Sequence, residues 1–202
     1  MLELDHLVLS TTDLDAGTEE LEALFGVALE DGGRNGSYGT HSKLLSLGPD
    51  AYLELIAVDP NSRAPHRARW FALDRFDGKT RLTNWAVRTD ELSHLMSLGA
   101  AGPGLPVVSS RNGLRWTMVV PEDGELPLDG ISPALMEWRK GHHIAKELPD
   151  QDIRLQKLSL SHPKVDQPFL PDDARIETTV GDYAIHALLE TPNGVFRIEA
   201  LK

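Results

Sequence analysis

Three apolar stretches of the chain each carry one glutamate near the middle: Glu54 in "AYLELIAVD", Glu137 in "ALMEW" and Glu199 in "FRIEAL". A carboxylate removed from water must be protonated or paired, because an unpaired buried charge is expensive. Apolar walls raise a carboxyl pKa, and a glutamate tuned in that way can move a proton to or from carbon. The plain alternative is a strand with one wet face, where a glutamate needs no partner. Other routes to catalysis are poorly served. The sequence has no cysteine, so thiolate nucleophiles, thiolate metal sites and disulfides are absent from it. The serines of "VVSSR" and "SLSHP" lack a nucleophile-elbow pattern. The Gly-rich "EDGGRNGSYGTH" has neither GxGxxG nor a P-loop lysine and reads as a loop or lid, in which Arg34 could meet an acidic substrate.

The elements that must position these residues follow a repeated order. "LELDHLVLST" reads as a strand, followed by a helix with Asp13 as N-cap, Leu14, Leu21 and Leu24 on one stripe, and Gly26 as stop. "VALEDGGRNGSYG" is a short strand running into the Gly-rich loop, and "THSKLLSLG" and "AYLELIAVD" are strands joined by the turn "GPD". Residues 1–60 therefore read β-α-β-β-β. A linker over 61–80 contains a short helix with the apolar cluster Trp70-Phe71-Ala72-Leu73. Residues 81–138 repeat the order: "RLTNWAVRT", a short helix "DELSHLMSLG" capped by Asp90 and stopped by Gly99, then "LPVVSSRNG", "LRWTMVVPE" and "ISPALMEW". Residues 153–202 read as a partial third copy without a helix, and "RKGHHIAKELPDQ", with His142 and His143, as the loop before it. When the copies are laid over one another, His6 falls on Asn84 and Glu54 on Glu137. Strand alternation puts His6 on a face with Leu4 and Val8, and Glu54 on a face with Tyr52 and Ile56.

The bulk properties set the class. The 202 residues are 41% hydrophobic and 25% charged, ordinary globular values that allow one domain with a substantial core. A net charge of −11 argues against nucleic acid and anionic membrane surfaces as partners. The N-terminal residues lack the pattern of a signal peptide, and no run of about 18 apolar residues marks a membrane span, so the expectation is a cytoplasmic protein.

The segments "LDHLVLSTTDLDAG", "GTHSKLLSLG", "YLELIAVDP", "RWFALDRF", "PALMEW" and "LSLSHP", taken in that order, resemble the glyoxalase-like domain proteins of the vicinal oxygen chelate superfamily. The resemblance implies an α+β fold of repeated βαβββ modules, whose curled mixed sheet surrounds a concave site, with the third copy as a C-terminal β-rich addition. It also implies a divalent metal ion (Zn, Mn, Fe, Ni or Co) that binds a substrate with adjacent oxygens. His6, Glu54 and Glu137 fall at the family's ligand positions, with Glu54 or Glu137 as proton-transfer residue and His41, Trp70, Phe71 and Asn84 as substrate contacts. His41 could alternatively be an extra ligand, a proton shuttle or a hydrogen-bonded strand histidine. Asn84 stands where metal-dependent relatives carry His or Gln. This weakens the two-His-one-carboxylate dioxygenase reading and favours a lyase or isomerase. Glu199 reads as a structural or surface carboxylate. The leading expectation is a small-molecule metalloenzyme (lyase, isomerase or dioxygenase), with a homodimer allowed by analogy. Two alternatives stand beside it. One is a metal-free small-molecule binding protein in which Trp70, Phe71, Trp85, Trp116 and Trp138 line the pocket. The other is a structural copy with a degenerate site.

Overall fold

The computed structural model describes residues 1–100, 102–111, 113–139, 143–165 and 170–199. Its first module runs β1 (Glu3–Ser10), α1 (Leu14–Phe25), β2 (Glu30–Asn35), β3 (Thr40–Ser46) and β4 (Tyr52–Val58). A linker with a 3-10 turn at Trp70–Arg75 leads to the second module: β5 (Arg81–Arg88), α2 (Leu92–Ser97), β6 (Leu105–Arg111), β7 (Leu114–Val120) and β8 (Ala134–Trp138). These strands form one eight-stranded sheet in the order β2-β3-β4-β1-β5-β8-β7-β6, strongly curled into a half-barrel. The order of the first four strands is mirrored in the last four. The two modules join where β1 runs antiparallel to β5, while β4 and β8 lie parallel to those central strands.

Helix α1 forms as its sequence directs. The Asp13 side chain accepts a hydrogen bond from the Ala16 N–H at 3.0 Å, and Gly26 closes the helix at φ 77°. Its buried face, Leu14, Gly17, Leu21 and Phe25, packs on the convex side of the sheet. Helix α2 has six residues and starts from Glu91 rather than Asp90, with no side-chain cap. The Gly-rich segment expected as a lid is instead the edge strand β2. A bulge lies between Asp31 and Gly33, and a Cβ on Gly32 would sit 2.4 Å from the Ser42 Oγ, so glycine lets the strand approach β3. Arg34 is committed to the buried carboxylate of Asp59.

The C-terminal strands β9 (Arg154–Ser161), β10 (Ile176–Thr179), β11 (Ala184–Thr191) and β12 (Gly194–Glu199) form a second, four-stranded sheet in the order β10-β9-β11-β12. Its apolar face, including Leu158, Leu160, Ile185, Ala187 and Leu189, shares one core with Leu7, Leu9, Leu53, Leu55, Trp85 and Val87. The convex side of the half-barrel is thus covered by α1 and the second sheet. The concave side carries a separate cluster that includes Val8, Tyr38, Ile56, Trp70, Phe71, Ala86, Trp116 and Met136. Glu199 is exposed and accepts a hydrogen bond from Arg197 at 3.0 Å. No helix among the described residues is long and apolar enough to cross a membrane.

Candidate functional site

Strand alternation alone would send Asp5 and His6 to opposite faces of the sheet. A bulge in β1 prevents this. Leu4 pairs with Val87 and His6 with Ala86, which leaves Asp5 as the extra residue. Leu4 therefore joins the convex core with Leu7 and Leu9, not the face of His6 and Val8. Asp5 and His6 meet: the His6 Nδ1 lies 2.6 Å from the Asp5 Oδ1.

Asp5 is fully buried and well supplied with donors. Its Oδ2 accepts from the Trp138 Nε1 at 2.7 Å and from the His143 Nε2 at 3.0 Å, and the Arg88 Nη1 stands 3.9 Å away. Burial by itself would raise this carboxyl's pKa. Hydrogen bonds from His143 and His6 outweigh burial and hold the pKa well below the usual carboxylate range. An ionised Asp5 requires a proton on the His6 Nδ1. The His6 Nε2 then presents its lone pair.

That Nε2 atom is buried and has no hydrogen-bond partner among the described residues. It faces the Glu54 Oε2, 3.8 Å away. The imidazole stacks on Tyr52 with centroids 4.6 Å apart, and Phe71 meets it edge-on at 6.3 Å. Glu54 is 7% exposed and lies on the concave face between Tyr52 and Ile56, as alternation requires. Val8 lies between Glu54 on β4 and Asn84 on β5, so Asn84 shares the concave face one strand farther over. Trp70 stacks on Tyr38 at 3.9 Å, and with Phe71 it fills the hollow of the sheet. The 3-10 turn carrying this pair has left-handed backbone at Phe71 (φ 58°) and Ala72 (φ 53°). The Ala72 N–H donates to the Gly124 carbonyl at 2.9 Å, which anchors the turn.

Two expected site residues, the ligand Glu137 and the substrate contact His41, do not belong to this group. On β8, Ala134 and Met136 join the concave cluster, whereas Leu135 joins the convex core. Glu137 therefore projects from the convex face, opposite Met136. Overlaying its carboxylate on Glu54 is a one-residue slip, which exchanges the faces of a strand. On β3, Leu45 belongs to the convex core, so His41, four residues before it on the same face, also points away from the hollow. Burial pushes the His41 imidazole below its ordinary value, partly offset by Asp59. Trp85, considered as a pocket residue, is in the convex core with its Nε1 donating to the Ile131 carbonyl at 2.8 Å. The residues missed by sequence are Asp5 and His143. Only the adjacency in "LDHL" hinted at the first, and nothing in "GHH" distinguished His143. His142 lies outside the described residues.

The fit to a divalent ion is partial. No group of three His, Cys, Asp or Glu side chains placed to hold a metal occurs among the described residues. His6 and Glu54 nevertheless fit as a two-residue donor pair. Bonds of about 2.0–2.2 Å to one ion put ligand atoms roughly 3–4 Å apart, and a carboxylate behind the second imidazole nitrogen is the usual outer partner of a ligating histidine.

A model of the glyoxalase-like domain matches residues 4–170. Among solved structures, a hypothetical protein from Staphylococcus aureus aligns over 100% of this chain and 87% of its own, with TM-score 0.60 and 15% identity. A methylmalonyl-CoA epimerase bound to methylmalonyl-CoA and NH4+ aligns over 71% of this chain and 99% of its own, with TM-score 0.47 and 19% identity. A methylmalonyl-CoA epimerase from Mycobacterium tuberculosis aligns over 67% of this chain and 85% of its own, with TM-score 0.44 and 18% identity. No curated protein matches the sequence. At these identities the solved structures speak for the fold alone, but the domain model spans most of the chain: it belongs to the glyoxalase-like domain family, within the vicinal oxygen chelate superfamily.

Proposed function

We propose that the protein is a small-molecule enzyme, an isomerase or lyase, that moves a proton at a carbon adjacent to a carbonyl. One observation carries this reading: a buried Nε2 on His6 with no hydrogen-bond partner among the described residues, backed by Asp5 through Nδ1 and facing Glu54 across 3.8 Å. Such a lone pair, 2% exposed with its residue, serves an electropositive partner, either a proton or a cation. Asp5 fixes the tautomer and stabilises the imidazolium that forms when Nε2 accepts a proton. Glu54 supplies a second oxygen for holding or returning that proton. Tyr52 keeps the ring from rotating, and Trp70 and Phe71 exclude water, which strengthens each electrostatic contact. When bound, a divalent ion between His6 and Glu54 would polarise a substrate oxygen as a Lewis acid. Dioxygenase chemistry at a two-His-one-carboxylate centre fits poorly, because Asn84 replaces the second histidine. In this reading the enzyme is cytoplasmic and its ligand a small molecule.

The test is deuterium uptake, by proton NMR in D2O, across a panel of 2-oxo acids, α-hydroxy ketones and 1,3-dicarbonyl compounds. Tag-free protein is compared with His6→Ala and Glu54→Gln, with elemental analysis of all three. Uptake lost in both variants supports the reading, and about one Zn, Mn, Fe, Ni or Co per chain, also lost in both, adds the ion. No uptake with any compound, even after divalent ions are added, refutes it. The aromatic filling of the hollow favours the second reading in that event, a metal-free small-molecule binder.

A further inference from the structure

Beside the His6–Glu54 pair, and separated from it by the Phe71 ring, lies a cavity of about 720 Å³. It is bounded by the linker after the first module, by the start of β5, by the loop at 125–130 and by Tyr183 before β11. The linker, the second module and the segment before the second sheet's β11 thus enclose it together.

Two of its lining side chains want a ligand. Asn84 is 5% exposed, yet its amide has no hydrogen-bond partner among the described residues, and it lines the cavity. Its burial is built in: Gly130 (φ +88°) packs so closely that a Cβ there would come within 2.5 Å of the Asn84 Nδ2. The amide keeps contact with solvent in the cavity, where a ligand can supply its hydrogen bonds. Arg81 is the second. Its guanidinium lies over the Phe76 ring at 4.2 Å and donates only to the backbone carbonyls of Asp77 and Lys79. No carboxylate pairs with it among the described residues. The other arginine of the cavity, Arg75, is already paired with Glu125. The cavity's remaining carboxylates, Asp77 and Asp129, are exposed, so water screens them more than the half-buried Arg81. Phe71 and Phe76 supply flat apolar surface to the same space.

We propose that this cavity binds a small aromatic carboxylic acid, with Arg81 holding the carboxylate, Asn84 hydrogen-bonding a polar group on the ligand and the two phenylalanines packing on its apolar body. An anion is favoured over a neutral analogue because the guanidinium fork matches a carboxylate in two parallel hydrogen bonds. The proposal does not depend on chemistry at His6 and Glu54, and binding is read without turnover.

The experiment is titration of the full chain by ligand-observed NMR and calorimetry. The probes are benzoate, phenylacetate, 3-phenylpropionate and 2-naphthoate, each beside its primary amide. At least one acid should bind saturably and about tenfold or more tighter than its amide. Arg81→Met should remove that preference, Asn84→Leu should weaken acid and amide together, and Arg63→Met, an exposed cation outside the cavity, should change neither. Retained near-UV circular dichroism and thermal transitions confirm that each variant folds. His6→Ala should leave binding intact, which separates this proposal from the catalytic reading. Absence of saturable binding by every acid, or an acid preference that survives in folded Arg81→Met, overturns the proposal.

Discussion

Replacing Asp5 by asparagine tests the centre of the site most directly. The wild-type carboxylate is fully buried and accepts from three side-chain donors at 2.6, 2.7 and 3.0 Å. Asparagine keeps the volume but removes the charge, and its amide brings N–H groups against existing donors. Charge-assisted hydrogen bonds contribute about 1.5–3 kcal/mol each, against about 0.5–1.5 for neutral ones. Weakening three, with at least one turned repulsive, costs about 3–5 kcal/mol, the range seen when one partner of a buried ionic group is removed. The sign with pH follows from the depressed pKa of Asp5 in the folded state. A group of that kind contributes stability that is fully present above its unfolded value and lost as pH falls through and below it. Urea unfolding at pH 7 should therefore show Asp5→Asn about 3–5 kcal/mol less stable than wild type, and this gap should narrow below about pH 5. Equal stability at pH 7, or a gap that does not narrow as pH falls to about 2, would refute the assignment of Asp5 as an ionised, hydrogen-bonded anchor.

Glu137→Gln and His41→Gln, both off the concave face, should change stability by less than about 0.5 kcal/mol and leave deuterium uptake and metal content as in wild type; loss of either would return these residues to the site. Gly124→Ala places a Cβ 1.9 Å from the Arg69 carbonyl oxygen at φ +76°, so it should displace the Trp70–Phe71 turn and cost about 2 kcal/mol or more, measured by thermal unfolding and tryptophan fluorescence. Trp138→Phe keeps the ring but removes a donor to Asp5; a loss of about 1–3 kcal/mol in urea unfolding is expected, and none would show that this hydrogen bond carries no weight.

What the sequence disclosed depended on how local each signal was. Helix α1 was readable from Asp13, the leucine stripe and Gly26, because capping and periodicity act within a few residues. The face of Glu54 was readable from alternation. Three features were not. The bulge at Asp5 is set by pairing with β5, some eighty residues away in the chain, and it alone turns an Asp-His neighbour pair into a hydrogen-bonded dyad. The position of Glu137 was misjudged because matching the letter Glu between strands ignores the pleat. Paired across β7, Met118 meets Met136 and Trp116 meets Trp138 on the concave side, while Glu137 meets Thr117 on the other. His143 reaches Asp5 across 138 residues of chain, a contact with no local signature.

The corrected faces show how the two modules divide the work. In the first module the concave positions of the last strand are Tyr52, Glu54 and Ile56; in the second they are Ala134, Met136 and Trp138. On these last strands the carboxylate lies in one half and apolar cover in the other. The exception is Trp138, whose indole N–H crosses over to bind Asp5. This asymmetry requires the two halves to meet within one sheet, and the antiparallel join of β1 with β5 achieves that inside a single chain. A second chain is therefore unnecessary for assembling the His6–Asp5–Glu54 group. If the protein dimerises, the geometry of that group should be the same in monomer and dimer, and activity per chain should not change on dilution through the dissociation range. A fall in activity per chain on dilution, tracked with sedimentation velocity, would show that the partner supplies something the chain's own halves do not.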